Sequence, residues 1–358
     1  MGQSALRSGN RVSDRSTTHA SQLWFTAPYR VEVREAILPA PEPEQVLVKS
    51  RHSAVSAGTE LLAYRGQLPQ SIPLDSALAS LQSSSEYPLQ YGYACVGEVQ
   101  TLGSAVDPDW QGRLVFSFQP HCSHFLASLE ELQRVPDGVS AKDAVFLPNM
   151  ETAVNLVQDG SPLLGERVVV VGQGVVGLLV SAILAGYPLS MLVAIEQQAD
   201  RQELAKGLGV DRVLRPKELQ DTEGILDAGY SNGFDADLVF EVSGDPAALN
   251  LAIALGGFAS RIVIGSWYGK KTAAVELGGP AHRNRLQFIT SQVSTIAPAL
   301  RGRWNKQRRF EIAWEMIRRI GPGKLVTHTL PLERAGELYQ QLHEQQPGFT
   351  QVLFDYQD

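Results

Sequence analysis

Residues 168–196 read VVVVGQGVVGLLVSAILAGYPLSMLVAIE, a run whose single charged side chain is its last, Glu196. About 20 apolar residues suffice to cross a bilayer, so length alone permits a membrane span. The internal punctuation points elsewhere. Gly172, Gly174 and Gly177 open the run, Pro188 interrupts it and an acid closes it. A buried strand, a helix and a second buried strand satisfy all of these features, and the rest of the chain decides for that reading.

Gly172-Gln173-Gly174-Val175-Val176-Gly177 follows a four-valine strand and opens a helix, the setting a pyrophosphate-binding turn requires. The first glycine permits the tight turn, the second lets phosphate approach the backbone, and the third lets helix and strand pack closely. The helix start then offers free N–H groups and the positive end of its dipole. Glu196 stands nineteen positions after Gly177, close to the spacing of ~20 for a ribose-binding acid. Its carboxylate is expected to accept from both ribose hydroxyls and to repel a 2′-phosphate. Gln197 and Gln198 add no positive charge, so NAD is favoured over NADP. Gln197 and Arg201 join the expected cofactor contacts.

At 358 residues the chain exceeds what one core usually organises, and two domains are expected. With 44% hydrophobic and 19% charged residues the composition is that of an ordinary globular protein. A net charge of −7 speaks against nucleic acid as a partner. Two cysteines, Cys95 and Cys122, are too few for a disulfide framework and suit a reducing compartment. Residues 1–20 are polar, lack the apolar core of a secretory signal and read as a frayed tail. No other stretch is long enough to span a membrane, so a cytoplasmic protein is expected.

From Ser21 to about residue 157, short β-rich runs such as VEVREAIL, QVLVKSRHSAV and YACVGEVQTLG are broken by turn residues. The Ser-rich LDSALASLQSSSEYP reads as a loop with one helical turn. Residues 158–298 alternate apolar runs with amphipathic segments, which implies a parallel sheet covered on both faces. Residues 299–358 hold two helical stretches and a final strand, TQVLFDY, which is expected to pair back with the first β-rich region. Ser243 and Gly244 end the fourth strand of the parallel sheet, and Gly265, Ser266 and Trp267 follow the fifth. Ligands bind beyond such strand ends, so Ser243, Gly265, Ser266 and Trp267 are expected on the nicotinamide side.

In order and spacing the chain resembles the medium-chain dehydrogenase/reductase superfamily from Ser21 to Tyr356. SAVSAGTELLAYRG is similar to the family segment that carries a zinc-binding Cys before Gly-Thr-Asp. YGYACVGEV is similar to its Gly-His-Glu segment, and GERVVVVGQGVVG to its nucleotide turn. The resemblance implies an α/β protein: a GroES-like β-barrel catalytic domain, an inserted Rossmann doubly wound parallel-sheet domain, and catalysis in the cleft between them. Within the family, SAGTELLAYRG, NMETAVN and GSWYGKK are most similar to the branch containing bacteriochlorophyllide dehydrogenase, which oxidises a hydroxyethyl group with NAD. Family analogy also implies a homodimer, paired through the sheet edge around LQFITSQV.

Zinc-dependent members hold the metal with Cys, His and Glu or Cys. Those slots here carry Ala57, Tyr93 and Pro148, with Ala94 at an outer acid position. None ligates zinc well, so no metal is expected. Carbonyl reduction develops negative charge on oxygen, and side chains must then stabilise and protonate it. Thr59 matches the hydroxyl that relays the alcohol proton in the family, Tyr93 points at the vacated metal site, and His121 suits proton exchange near neutrality. The pair His121 and His124 around Cys122 is poorly spaced for a metal. Glu60 reads as structural, and Glu151 either as a cleft carboxylate or as a helix-start acid.

Arg301, Arg303, Lys306, Arg308, Arg309, Arg318 and Arg319, with His282, Arg283 and Arg285, form a basic cluster. It reads either as a solvated helix face or as a rim that attracts an anionic small-molecule substrate. The expected activity is zinc-independent hydride transfer between NAD(H) and a secondary alcohol or carbonyl. Reduction of a conjugated C=C, as in quinone or enoyl reductases, and non-catalytic nucleotide binding are the alternatives.

Overall fold

The valines at 168–171 form the centre of a six-stranded sheet, as expected of a run buried on both faces. The computed structural model describes residues 17–68, 86–220 and 235–356. The β-rich first part holds β1 (Thr18–Ala27), β2 (Arg30–Leu38), β3 (Gln45–Val55), β4 (Cys95–Leu102), β5 (Leu114–Ser117), β6 (His124–Ser128) and β7 (Leu132–Arg134). Helix α1 (Ala57–Tyr64) follows β3 directly. The strand β1 begins at Thr18 and buries Ala20 completely, so the reading of residues 1–20 as a tail is corrected at its last three residues. Most of LDSALASLQSSSEYP lies outside the described residues.

A short helix α2 (Ala141–Ala144) leads into α3 (Leu147–Gly160), which runs toward the parallel sheet. That sheet contains β8 (Arg167–Val171), β9 (Met191–Ile195), β10 (Arg212–Leu214), β11 (Ala236–Glu241), β12 (Gly256–Ile264) and β13 (Gln287–Thr290). Its order is β10-β9-β8-β11-β12-β13 and every pairing is parallel. This is the doubly wound arrangement whose order reverses beside the first strand, where ligands bind. Helices α4 (Val175–Leu184), α5 (Ala199–Gly207) and α6 (Ala248–Leu255) connect its strands. The α4 segment spans ten residues, and no helix among the described residues is long and apolar enough to cross a membrane.

Beyond β13, α7 (Lys306–Ile320) packs against α3, followed by β14 (Val326–Pro331), α8 (Ala335–His343) and β15 (Gln351–Asp355). The last strand lies between β14, parallel to it, and β3, antiparallel to it. One apolar cluster runs continuously from Ala54, Val96 and Phe116 through Phe146, Met150 and Leu156 to Val168, Leu178 and Phe240. The apolar face of α3 therefore joins the two sheets through shared side-chain packing, which removes apolar surface from water on both sides of the helix.

A candidate cofactor turn and a hydroxyl cluster

Each glycine of the turn does a different job. Gly172 has φ +93°, and a Cβ there would meet the Ser243 backbone at 2.6 Å. A Cβ on Gly177 would sit 2.0 Å from the Gly172 carbonyl oxygen, so only glycine lets α4 start this close to β8. At Gly174 a Cβ would meet nothing within 4 Å, and no side chain caps the helix that begins at Val175 and Val176. The first N–H groups of α4 therefore face open space, as an anion-binding helix start requires. Gln173 turns inward, its amide held by Ser181 and the Val170 carbonyl.

Glu196 is buried and locks the turn. Its Oε2 accepts from Gln173 N at 2.8 Å, and its Oε1 from Gln197 N and Gln198 N at 2.7 and 2.9 Å. A carboxylate offers about four acceptor sites, so room remains for one further hydrogen bond rather than the expected two. Beside it, the buried Gln198 Oε1 has no partner among the described residues. Arg201 donates to the Phe349 carbonyl at 3.0 Å, and Asp200 accepts from Gly348 N, so the start of α5 is tied to the segment before β15.

On the other side of β8, the end of β11 carries Glu241, fully buried and absent from the sequence reading. It accepts from Ser243 N and Oγ and, at 2.5 Å, from the Tyr268 hydroxyl. Burial, and then the Glu241 charge, push the Tyr268 phenol well above its ordinary value. Ser266 Oγ accepts from Gly244 N at 2.8 Å, and Gly265 packs against Leu156 of α3. Trp267 is 44% exposed. Glu241 ends an apolar strand just as Glu196 follows one, and that shared placement was the available signal.

The second group of residues lies at the start of α1. The Tyr93 hydroxyl donates to Ser56 Oγ at 2.5 Å and lies 3.4 Å from Thr59 Oγ1, while Ser56 Oγ is 3.5 Å from Thr59 Oγ1. Three hydroxyls thus meet beside Ala57, one of the three slots aligned with zinc ligands. Sequence reasoning supplied Tyr93 and Thr59 and missed Ser56. Glu60, fully buried, fixes this turn: Oε1 accepts from Ser56 N at 2.7 Å, and Oε2 from the Tyr339 hydroxyl of α8 and from His121 Nε2 at 3.1 Å. Burial, reinforced by the Glu60 charge, holds the Tyr339 phenol well above its ordinary value.

His121 is fully buried, with Nδ1 at 2.7 Å from Ser53 Oγ, which in turn meets the Tyr356 hydroxyl at 2.7 Å. The expectation that His121 reaches a substrate pocket is corrected: both ring nitrogens are used inside the fold. Cys122 is buried in an apolar cluster, and His124 belongs to β6, so the two histidines and the thiol do not converge. Among the described residues no three His, Cys, Asp or Glu side chains are grouped as metal ligands would be.

Glu151 is neither a helix-start acid nor a free cleft carboxylate. It lies inside α3, and its Oε1 accepts from Arg309 Nε and Nη2 at 3.0 and 2.8 Å and from Lys306 Nζ at 3.2 Å. Arg309, expected on an exposed face, is fully buried, and its other N–H groups go to Asn155 and to the Thr295 and Val293 carbonyls. Removing either partner would strand a buried charge.

The profile of the zinc-binding dehydrogenase family matches residues 175–316. D-guloside 3-dehydrogenase of Escherichia coli K12 is 26% identical over 266 residues, covering 72% of this chain and 75% of that protein. The rspB alcohol dehydrogenase of E. coli CFT073, solved with NADH, superposes with a TM-score of 0.74 at 18% identity, over 94% of this chain and 99% of the other. A zinc-binding dehydrogenase of Sinorhizobium meliloti 1021, solved with NADP, gives 0.73 at 16% identity with the same coverage. Over most of its length the chain is similar to dehydrogenases of the medium-chain dehydrogenase/reductase superfamily. Its α/β fold is the superfamily's: a GroES-like β-domain interrupted by a Rossmann sheet.

Proposed function

We propose that this chain transfers hydride between NAD(H) and a secondary alcohol or carbonyl substrate, with protein hydroxyls in place of zinc. The observation that carries the reading is the Tyr93–Ser56–Thr59 cluster, which brings three O–H groups together beside the position of a lost metal ligand. The cofactor position fits a dinucleotide. Gly174 leaves open the space in front of an uncapped helix, and Gln198 keeps a buried acceptor without a partner. A zinc ion fits poorly, because Ala57 and Pro148 offer no donor atom and Tyr93 already donates to Ser56.

When bound, the nicotinamide supplies or accepts the hydride. The chain's residues would divide the remaining work. The first N–H groups of α4 hold the pyrophosphate, with Val175 and Val176 opening the helix. Glu196 and Gln197 bound the ribose, and the Glu196 charge opposes a 2′-phosphate, which favours NAD. Arg201, the single cation between Met191 and Ala205, is engaged with the Phe349 carbonyl. Ser243, Gly265, Ser266 and Trp267 bound the nicotinamide side.

As a substrate carbonyl takes up hydride, its oxygen becomes more basic. A hydroxyl aimed at it stabilises that charge and delivers the proton. Tyr93 and Thr59 are assigned this role, with Ser56 passing the proton between them. His121, through Glu60, holds the Ser56–Glu60 turn in place and so acts as a positioning residue. Enzyme copies paired along β13 and a reducing intracellular setting complete the proposal.

Metal analysis of the purified protein tests the zinc-free assignment, and near-stoichiometric zinc would overturn it. Calorimetry with NADH, NADPH and their oxidised forms tests the cofactor. A panel of secondary alcohols and ketones, with product analysis, tests the reaction. An enone returned saturated with its carbonyl intact would move the assignment to C=C reduction, and NADH binding without turnover on any substrate would favour a non-catalytic role.

A further inference from the structure

We infer that Lys306 forms a subsite for a substrate oxyanion, so that the molecule reduced or oxidised beside Tyr93 carries a carboxylate or phosphate. This rests on the hydride-transfer reading above and adds the class of substrate. The protein is net acidic at −7, yet Arg301, Arg303, Lys306, Arg308 and Arg309 fall between Gln292 and Phe310 with no acid among them. Arg309 is buried and alone balances the charge of Glu151, with all its N–H groups engaged. Lys306 bonds to that same carboxylate oxygen. Glu151 thus serves two cations while Asp159 also answers the Arg309 charge, and Lys306, 36% exposed, shares one carboxylate oxygen with that arginine. An ammonium carries three donors, and two remain after Glu151.

Position makes Lys306 useful. Glu151 is one turn along α3 from Pro148, the third slot aligned with zinc ligands, so the two share a face. Five residues further, roughly 7.5 Å along the axis, Leu156 packs against Gly265 at the end of β12. The Lys306 ammonium lies 5.6 Å over the Phe310 ring, which meets Phe118 at 6.1 Å between centroids. Phe118 directly follows β5, whose Ser117 pairs with Cys95 of β4, so it leaves the sheet at the same end as Tyr93. A cation with donors to spare, over the face of one aromatic ring, is therefore bonded to the helix that carries Pro148 and Leu156. Such a site takes an oxyanion through charge-assisted hydrogen bonds.

The test uses the full chain saturated with NADH, with inorganic phosphate and malonate as probes, read as the shift in Tm against sodium chloride at equal ionic strength. At least one oxyanion is expected to raise Tm beyond chloride. Phosphate alone would mark a phosphomonoester substrate, and malonate alone a carboxylate. K306Q should weaken the apparent Kd about tenfold and K306R should restore it. R318Q, which makes the same change in net charge at the far end of α7, should leave it unchanged. If neither probe exceeds chloride, or K306Q binds as the parent does, the subsite is overturned. The Tm shift from NADH is recorded first. Its absence would strike the hydride-transfer reading instead, and the oxyanion titrations run on the free chain would then decide the subsite by the same outcomes.

Discussion

The Gly172–Gly177 turn and the Ser56–Thr59–Tyr93 cluster are made from different chemistry. The turn works through backbone: a positive φ, a helix start so close that a Cβ on Gly177 would lie 2.0 Å from a carbonyl oxygen, and free N–H groups there. Its side chains serve mainly to lock it, as Glu196 does through three backbone amides. The cluster works through side chains brought together across the fold, with Glu60 bonded to His121 and to Tyr339, 279 positions away. A backbone site tolerates almost no added volume, whereas a side-chain site tolerates volume and is sensitive to single atoms.

That contrast breaks most visibly at Gly177. Gly177→Val should abolish NADH binding by calorimetry and lower unfolding free energy by ~3 kcal/mol or more, since the new carbon collides with backbone that cannot rotate away. Tyr93→Phe removes one oxygen from the cluster. Turnover should drop about 10²- to 10⁴-fold while NADH affinity and Tm hold, and an unchanged kcat would remove Tyr93 from the chemistry. Glu60→Gln keeps the shape but offers one acceptor oxygen where a carboxylate had two. Denaturant titration should show a loss of ~1–3 kcal/mol, with turnover reduced through the displaced Ser56. Glu196→Gln sharpens the cofactor side: the preference for NADH over NADPH should fall about tenfold.

The smallest effect concerns pH. Burial raises the Asp159 carboxyl above its ordinary 3.8, outweighing hydrogen bonds from Ser291 and Asn155 and the charge of Arg309. The folded state therefore binds this proton more readily than the unfolded chain. Its contribution to stability grows as pH falls through the raised value and levels off below 3.8. Asp159→Asn should remove that acid-side gain, visible as a Tm difference between parent and variant that shifts in the parent's favour as pH falls through that window.

The same contrast explains what could be read from sequence. Glycine spacing, a valine strand and an acid nineteen residues on are local, so the parallel sheet and its turn were legible, as was the final strand. The Tyr93 and Thr59 positions came through resemblance, whereas Ser56 did not, because a serine before a helix carries no local mark of its tertiary partner. Glu151 and Arg309 were misplaced for a related reason. Helical periodicity in α7 marks an amphipathic face, but only the packing of α3 against it reveals that one arginine of a basic run is wholly enclosed. His121 was misjudged because the interior already supplies both of its nitrogen partners.

The antiparallel pairing of β15 with β3 joins residues about three hundred positions apart. During synthesis β3 emerges early and lacks this neighbour until the ribosome has made Asp355, while the parallel sheet between them is already complete. The β-rich half is thus closed only by the last strand made, and until then the edge of β3 at residues 52–55 lacks its β15 neighbour.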